Sequence, residues 1–204
     1  MKKFWLIFAG IILAFGLNSC NSCSKTTDES VESSIIVENT ISVDREYMAL
    51  NYGDYKWYET CVVYDNYIDA DTTIVVEGVS NIFQVLVAVD DNSFDTKVVS
   101  IAHIKDNSRV EVRERAFWVG DFPLNDETIA LTFDDAFERL MEANLPKPHS
   151  KYVVLRREIG PKPGVNAQYI FGNANYQVYV DAVTGDVRTN NPAFPDGFTY
   201  SLTW

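Results

Sequence analysis

The chain has 204 residues, with 17 Lys and Arg against 29 Asp and Glu, and a net charge of −12 at neutral pH. So acidic a chain repels phosphate backbones and anionic headgroups, and its basic residues form no patch that would offset this, so no nucleic-acid partner is expected. With two histidines and three cysteines, it shows no metal-ligand or phosphate-loop pattern, and no metal or cofactor is expected.

Lys2 and Lys3 precede an apolar run from Phe4 to Leu17. The run is shorter than the roughly 20 residues a spanning helix needs, and its layout is that of a secretory signal. Leu17-Asn18-Ser19-Cys20 resembles the lipobox of bacterial lipoproteins. That resemblance implies a signal peptide over 1–19, lipidation of Cys20, and attachment to a membrane through that N-terminal lipid. Several acyl chains hold a protein on a membrane where one barely does. Asn21, in place of the Asp that marks inner-membrane retention, implies the outer membrane of a diderm bacterium. It leaves open whether the domain faces the periplasm or the outside. Cys20 and Cys23 have a Cys-x-x-Cys spacing, but lipidation would remove one member. A bond between Cys23 and Cys61 stays open.

Residues 20–42 are rich in Ser, Thr, Glu and Asn, with only "IIV" at 35–37 interrupting, and read as a flexible tether. A short helix is expected at 43–52, where Val43, Tyr47 and Leu50 share a face. Strands are expected at 56–65, 72–78, 80–90, 96–104 and 109–119, which makes 43–127 a mainly β N-terminal half.

The segment 128–204 opens with the clearest helix, "LTFDDAFERLMEANLPKP". Thr132 is its N-cap, with Asp135 three residues on, and Asn144 and the prolines after it close the helix. Phe133, Ala136, Phe137, Leu140 and Met141 form one apolar stripe, so this helix must lie on a flat surface. Strands expected at 151–159, 167–173, 175–182 and 186–190 supply it. Val183-Thr184-Gly185 reads as a hairpin turn with Gly185 left-handed, and Asp181 and Asp186 read as turn formers before acids. A faint internal repeat lays 83–99 beside 176–189. The fold class is α+β, an antiparallel β-sheet covered on one face by one or two helices.

Helix, strands and then Tyr176, Val178, Val180, Asp181, Ala182, Thr184, Gly185 and Val187 resemble the PepSY family over about 128–190. Two copies would resemble the β-lactamase inhibitor protein, although the first half departs from the pattern and leaves a second copy open. The resemblance implies no catalytic residues. It implies binding of another envelope protein, with a peptidase to be restrained as one candidate. An accessory role in an outer-membrane assembly or uptake complex is the alternative, as is capture of a glycan or small ligand.

Candidate chemistry is sparse. His103 reads as an ordinary strand residue and His149 as a solvated loop residue, while a Cys61 nucleophile paired with a histidine has no local signature. The acids at 65, 69 and 71 and at 90, 91 and 95 lack calcium-loop spacing and read as solvated turns. Candidate partner or ligand contacts are aromatic: Tyr55, Trp57 and Tyr58 in one cluster, and Phe198, Tyr200 and Trp204 in the C-terminal segment.

Overall fold

The computed structural model describes residues 29–90, 93–104, 107–118, 122–125, 128–157 and 166–190. Residues 1–19, expected to be a signal peptide, lie outside them, as do Cys20, Cys23, Phe198, Tyr200 and Trp204.

Helix α1 (Glu29–Tyr52) leads into strands β1 (Tyr55–Tyr64), β2 (Val76–Asp90), β3 (Ser93–Ile104) and β4 (Asn107–Glu114). Helix α2 (Phe133–Glu142) leads into β5 (Tyr152–Arg156), β6 (Gln168–Asn173), β7 (Tyr176–Asp181) and β8 (Val187–Thr189). The strands make one sheet in the order β4-β3-β2-β1-β5-β6-β7-β8, and every neighbouring pair is antiparallel. Each half is therefore a helix followed by a four-stranded meander, and the first strands of the two halves pair at the centre. The repeat read from sequence is offset from this by one strand. It lays β2–β3 on β7–β8, whereas the topology matches β3–β4 with β7–β8.

Both helices cover the same face. Val37, Ile41 and Met48 of α1 and Phe133, Ala136 and Leu140 of α2 belong to one buried cluster with Val62, Phe83, Val99, Leu155, Phe171 and Val180. Tyr64 and Phe171 flank Phe137, with ring centroids at 6.0 and 6.3 Å, which ties α2 to both halves of the sheet.

Three elements of the first half differ from expectation. The tether expected to reach residue 42 is helical from Glu29, and the buried face of α1 is Val37, Ile41, Asp44 and Met48, while Val43, Tyr47 and Leu50 are exposed. An aspartate in the middle of the inward stripe hides that stripe from a hydrophobic pattern. Likewise β2 is continuous from Val76 where a break was expected before Ser80. Gly78 and Asn81 suggest a turn locally, but Asn81 has buried partners on both sides. At the other end of that half, β4 stops at Glu114, short of the expected 119, and Arg115 follows at φ 51.

The C-terminal half follows its sequence closely. Thr132 Oγ1 accepts the Asp135 N–H at 3.1 Å and the Asp135 carboxylate accepts the Thr132 N–H at 2.8 Å, a complete capping box. The Thr132 N–H and then its hydroxyl, both donating to the Asp135 carboxylate, hold that carboxyl below its usual value. Helix α2 is capped at Ala143, one residue before the expected Asn144. Gly185 sits at φ 76, as its turn requires.

Candidate functional site

A buried polar chain runs between α1 and the sheet. Asp44 projects inward from α1 and accepts from Asn81 Nδ2 of β2 at 2.7 Å, and its other oxygen meets His103 Nε2 of β3 at 2.8 Å. Asn81 Oδ1 accepts from the Thr60 hydroxyl, which in turn accepts from the Trp57 indole N–H at 3.1 Å. Burial raises the Asp44 carboxyl above its ordinary value, and the bonds from Asn81 and His103 oppose that rise. The arrangement is satisfied link by link, which is what a buried polar group needs.

His103 is thus more than an ordinary strand residue, but it activates no thiol. Cys61 follows Thr60 on β1 and points to the opposite face of the sheet. Its thiol is pushed up to about 11, by burial first and then by neighbouring Glu59, the reverse of what a nucleophile needs. His149 stacks on Tyr67 at 4.0 Å and meets Asp69 at 3.1 Å, pinning the loop after β1 to the loop before β5. Asp65 accepts the Val75 N–H as a turn residue, whereas Asp90 and Asp95, expected in a turn, lie in strands β2 and β3, where Asp95 accepts the Thr96 N–H. Among the described residues no group of three His, Cys, Asp or Glu is placed to hold a metal ion.

Asp181 has the same role with more partners. Its carboxylate accepts the N–H groups of Val183 and Thr184 at 2.9 and 3.0 Å, and the amides of Gln168 and Asn166. Burial raises its carboxyl, but these bonds, led by Thr184, outweigh burial and hold it below its ordinary value. The Asp-Ala-x-Thr-Gly stretch is therefore scaffold.

The first aromatic cluster is interior. Trp57 is 6% and Tyr58 9% exposed, and Tyr55 packs edge-on against Phe83 at 5.5 Å. The pairing of β1 with β2 shifts register between Trp57 and Glu59, and Trp57 and Tyr58 are both buried there. A flat partner surface cannot reach them. Trp57 instead lines a cavity of about 260 Å³ with Glu38, Ile41, Ser42 and Arg45 of α1 and with Leu155 and Tyr169 of the sheet. Sequence reading missed Glu38, Ile41 and Ser42 because it took residues up to 42 for tether, and it singled out the other face of the helix that carries Arg45. The signal was their spacing, since 38, 41, 42 and 45 share one helical face.

The sheet's other face carries a second candidate surface. Tyr152, Val63, Gly78 and Ile104 align across β5, β1, β2 and β3 on the side away from the helices. Tyr152 is 40% exposed, Val63 37% and Ile104 58%. At the usual strand spacing this row spans about 14 Å. Val154, Cys61, Ser80 and Ala102 form the next row of that face, all half-buried. Further along, the chain after β4 folds back, and the Trp118 N–H donates to Gln84 Oε1 at 3.4 Å. Arg109, Glu111 and Arg113 of the edge strand β4 rim the face with charge. No described helix covers the Tyr152–Val63–Ile104 row. This mixture of apolar centre and charged rim suits a protein contact.

Comparison with protein-family models, with curated proteins and with solved structures gives no match to this chain.

Proposed function

We propose that the chain is a non-catalytic lipoprotein of the cell envelope, anchored through a lipid on Cys20, whose sheet face opposite α1 and α2 binds another protein. The observation that carries this reading is the exposed apolar row Tyr152–Val63–Ile104, with the charged side chains of β4 beside it. Solvent-exposed apolar side chains brought together from three strands are costly to leave in water and are a mark of contact surfaces. The separation of Cys61 from His103 on opposite sheet faces supports a role without catalysis. The PepSY-like hairpin makes a peptidase the first partner class to try, and an outer-membrane complex subunit the second.

The test is quantitative capture of envelope proteins by full chain carrying Tyr152→Glu and Ile104→Glu together. Partner recovery should fall at least tenfold, because two charges would be buried on binding. Val43→Glu on the exposed side of α1 should leave recovery unchanged. Equal recovery by both variants would contradict the assignment of the face.

A further inference from the structure

The cavity between the two halves has features that the protein-binding reading does not use. Its walls are the apolar side chains of Ile41, Trp57, Leu131, Phe133, Leu155 and Tyr169. Tyr169 is fixed by its hydroxyl, which donates to the Leu131 carbonyl at 2.5 Å, and the Phe133 and Tyr169 rings meet edge-on at 4.8 Å. Arg45 bounds it on one side, its guanidinium 5.7 Å from the Trp57 ring centre. About one turn and a half to two turns back along α1, toward Ile41 and Phe133, lies Glu38. Glu38 Oε1 accepts the Phe133 N–H at 3.3 Å, at the start of α2. Its other oxygen, Oε2, is buried and has no hydrogen-bond partner among the described residues. A buried carboxylate oxygen left this way is costly, and such groups in folded proteins ask for an explanation. Burial raises the Glu38 carboxyl, and the charges of Asp134 and Asp135 act in the same direction. These acids make that end of the cavity electronegative, which disfavours an anion and favours a cation or a neutral donor.

We propose that this cavity is a binding site for a small primary amine with an aromatic or branched aliphatic body, the ammonium donating to Glu38 Oε2 and the body packing against Trp57 and Tyr169. Size sets the upper limit. An engineered cavity of about 150 Å³ holds benzene, so 260 Å³ suits a body and head of about ten non-hydrogen atoms. The walls come from α1, β1, the segment entering α2, β5 and β6, so an occupant would contact both halves of the protein at once.

The test uses the purified full chain in mild detergent, with phenethylamine as probe and 3-phenylpropionate and ethylbenzene as comparisons. The readout is the indole N–H resonance of Trp57 in a proton–nitrogen correlation spectrum, assigned with Trp57→Phe. Phenethylamine should shift that resonance saturably, and ethylbenzene should bind at least tenfold more weakly. The phenylpropionate should leave the resonance unmoved. Glu38→Gln retains an oxygen to accept the Phe133 N–H but turns a donor into the cavity, so amine affinity should fall at least tenfold in a chain with an unchanged circular dichroism spectrum. Should Glu38→Gln unfold the chain, competition between amine and phenylpropionate in the unaltered protein still decides. Equal binding of the two, or no saturable shift with the amine, would overturn the proposal.

Discussion

Asp44→Ala tests the polar chain that joins α1 to the sheet. The substitution removes the acceptor for Asn81 Nδ2 and for His103 Nε2. Asn81 is fully buried and cannot turn to water, so its stranded amide should cost about 1–3 kcal/mol. His103 keeps 28% of its side chain exposed and can find water, so its loss should add little. The vacated carboxyl volume contributes a methylene's worth of packing, about 1 kcal/mol. Relief of the carboxylate's desolvation offsets part of this, and about 2–3 kcal/mol of net destabilisation remains. Asp44→Asn keeps the shape, one acceptor for Asn81 and one donor for His103, and should cost less than about 1 kcal/mol. The wild-type carboxyl is raised in the fold, so its favourable contribution is complete below the ordinary aspartate value of about 3.9 and is lost as pH rises through the folded value. The gap between wild type and Asp44→Asn should therefore narrow from acid to neutral pH. Urea unfolding followed by circular dichroism at a series of pH values measures all three chains. An alanine variant within about 0.5 kcal/mol of wild type, or an asparagine variant as damaged as alanine, would refute the reasoning.

Asp181→Ala should destabilise by about 2–4 kcal/mol in the same assay, because it strands the buried Gln168 amide and two turn N–H groups. The Asp181 carboxyl is held low, so its contribution is present above about pH 3.9 and is lost on acidification through the folded value, opposite in sign to Asp44. Gly172→Ala should prevent folding in a soluble expression test, since an added Cβ would sit 2.2 Å from the Tyr176 carbonyl oxygen at φ 110. Gly185→Ala should cost only about 1–2 kcal/mol by thermal unfolding, because its nearest contact is the movable Arg139 side chain at 3.3 Å and the strain is that of φ 76 alone. Cys20→Ala should abolish incorporation of labelled fatty acid in cells, and continued labelling would contradict lipidation at that residue.

The parts of the fold that could be read from sequence are those where local chemistry and burial agree. Helix α2 has a cap, an apolar stripe and a proline stop pointing to one answer, and the β7–β8 hairpin has a Gly that its backbone requires. Helix α1 could not be read this way, because its inward stripe centres on Asp44 and the partners that make this tolerable lie 37 and 59 residues away. The same long-range pairing hides the continuity of β2 through Asn81. Trp57 and Tyr58 looked like surface contacts because aromatic residues serve both cores and interfaces, and only their burial in the assembled sheet decides between them. Tyr152, Val63 and Ile104 escaped notice for a further reason. They come from three strands, and only the sheet order brings them into one row.

Site-specific photo-crosslinking in living cells tests the central claim most directly. A benzophenone side chain placed at 152 or 104 on the sheet face opposite α1 and α2 should give one dominant adduct with an envelope protein, and the same group at 43 or 50 on the exposed side of α1 should give none. Adducts of equal yield from both sides, or from the helical side alone, would contradict the account.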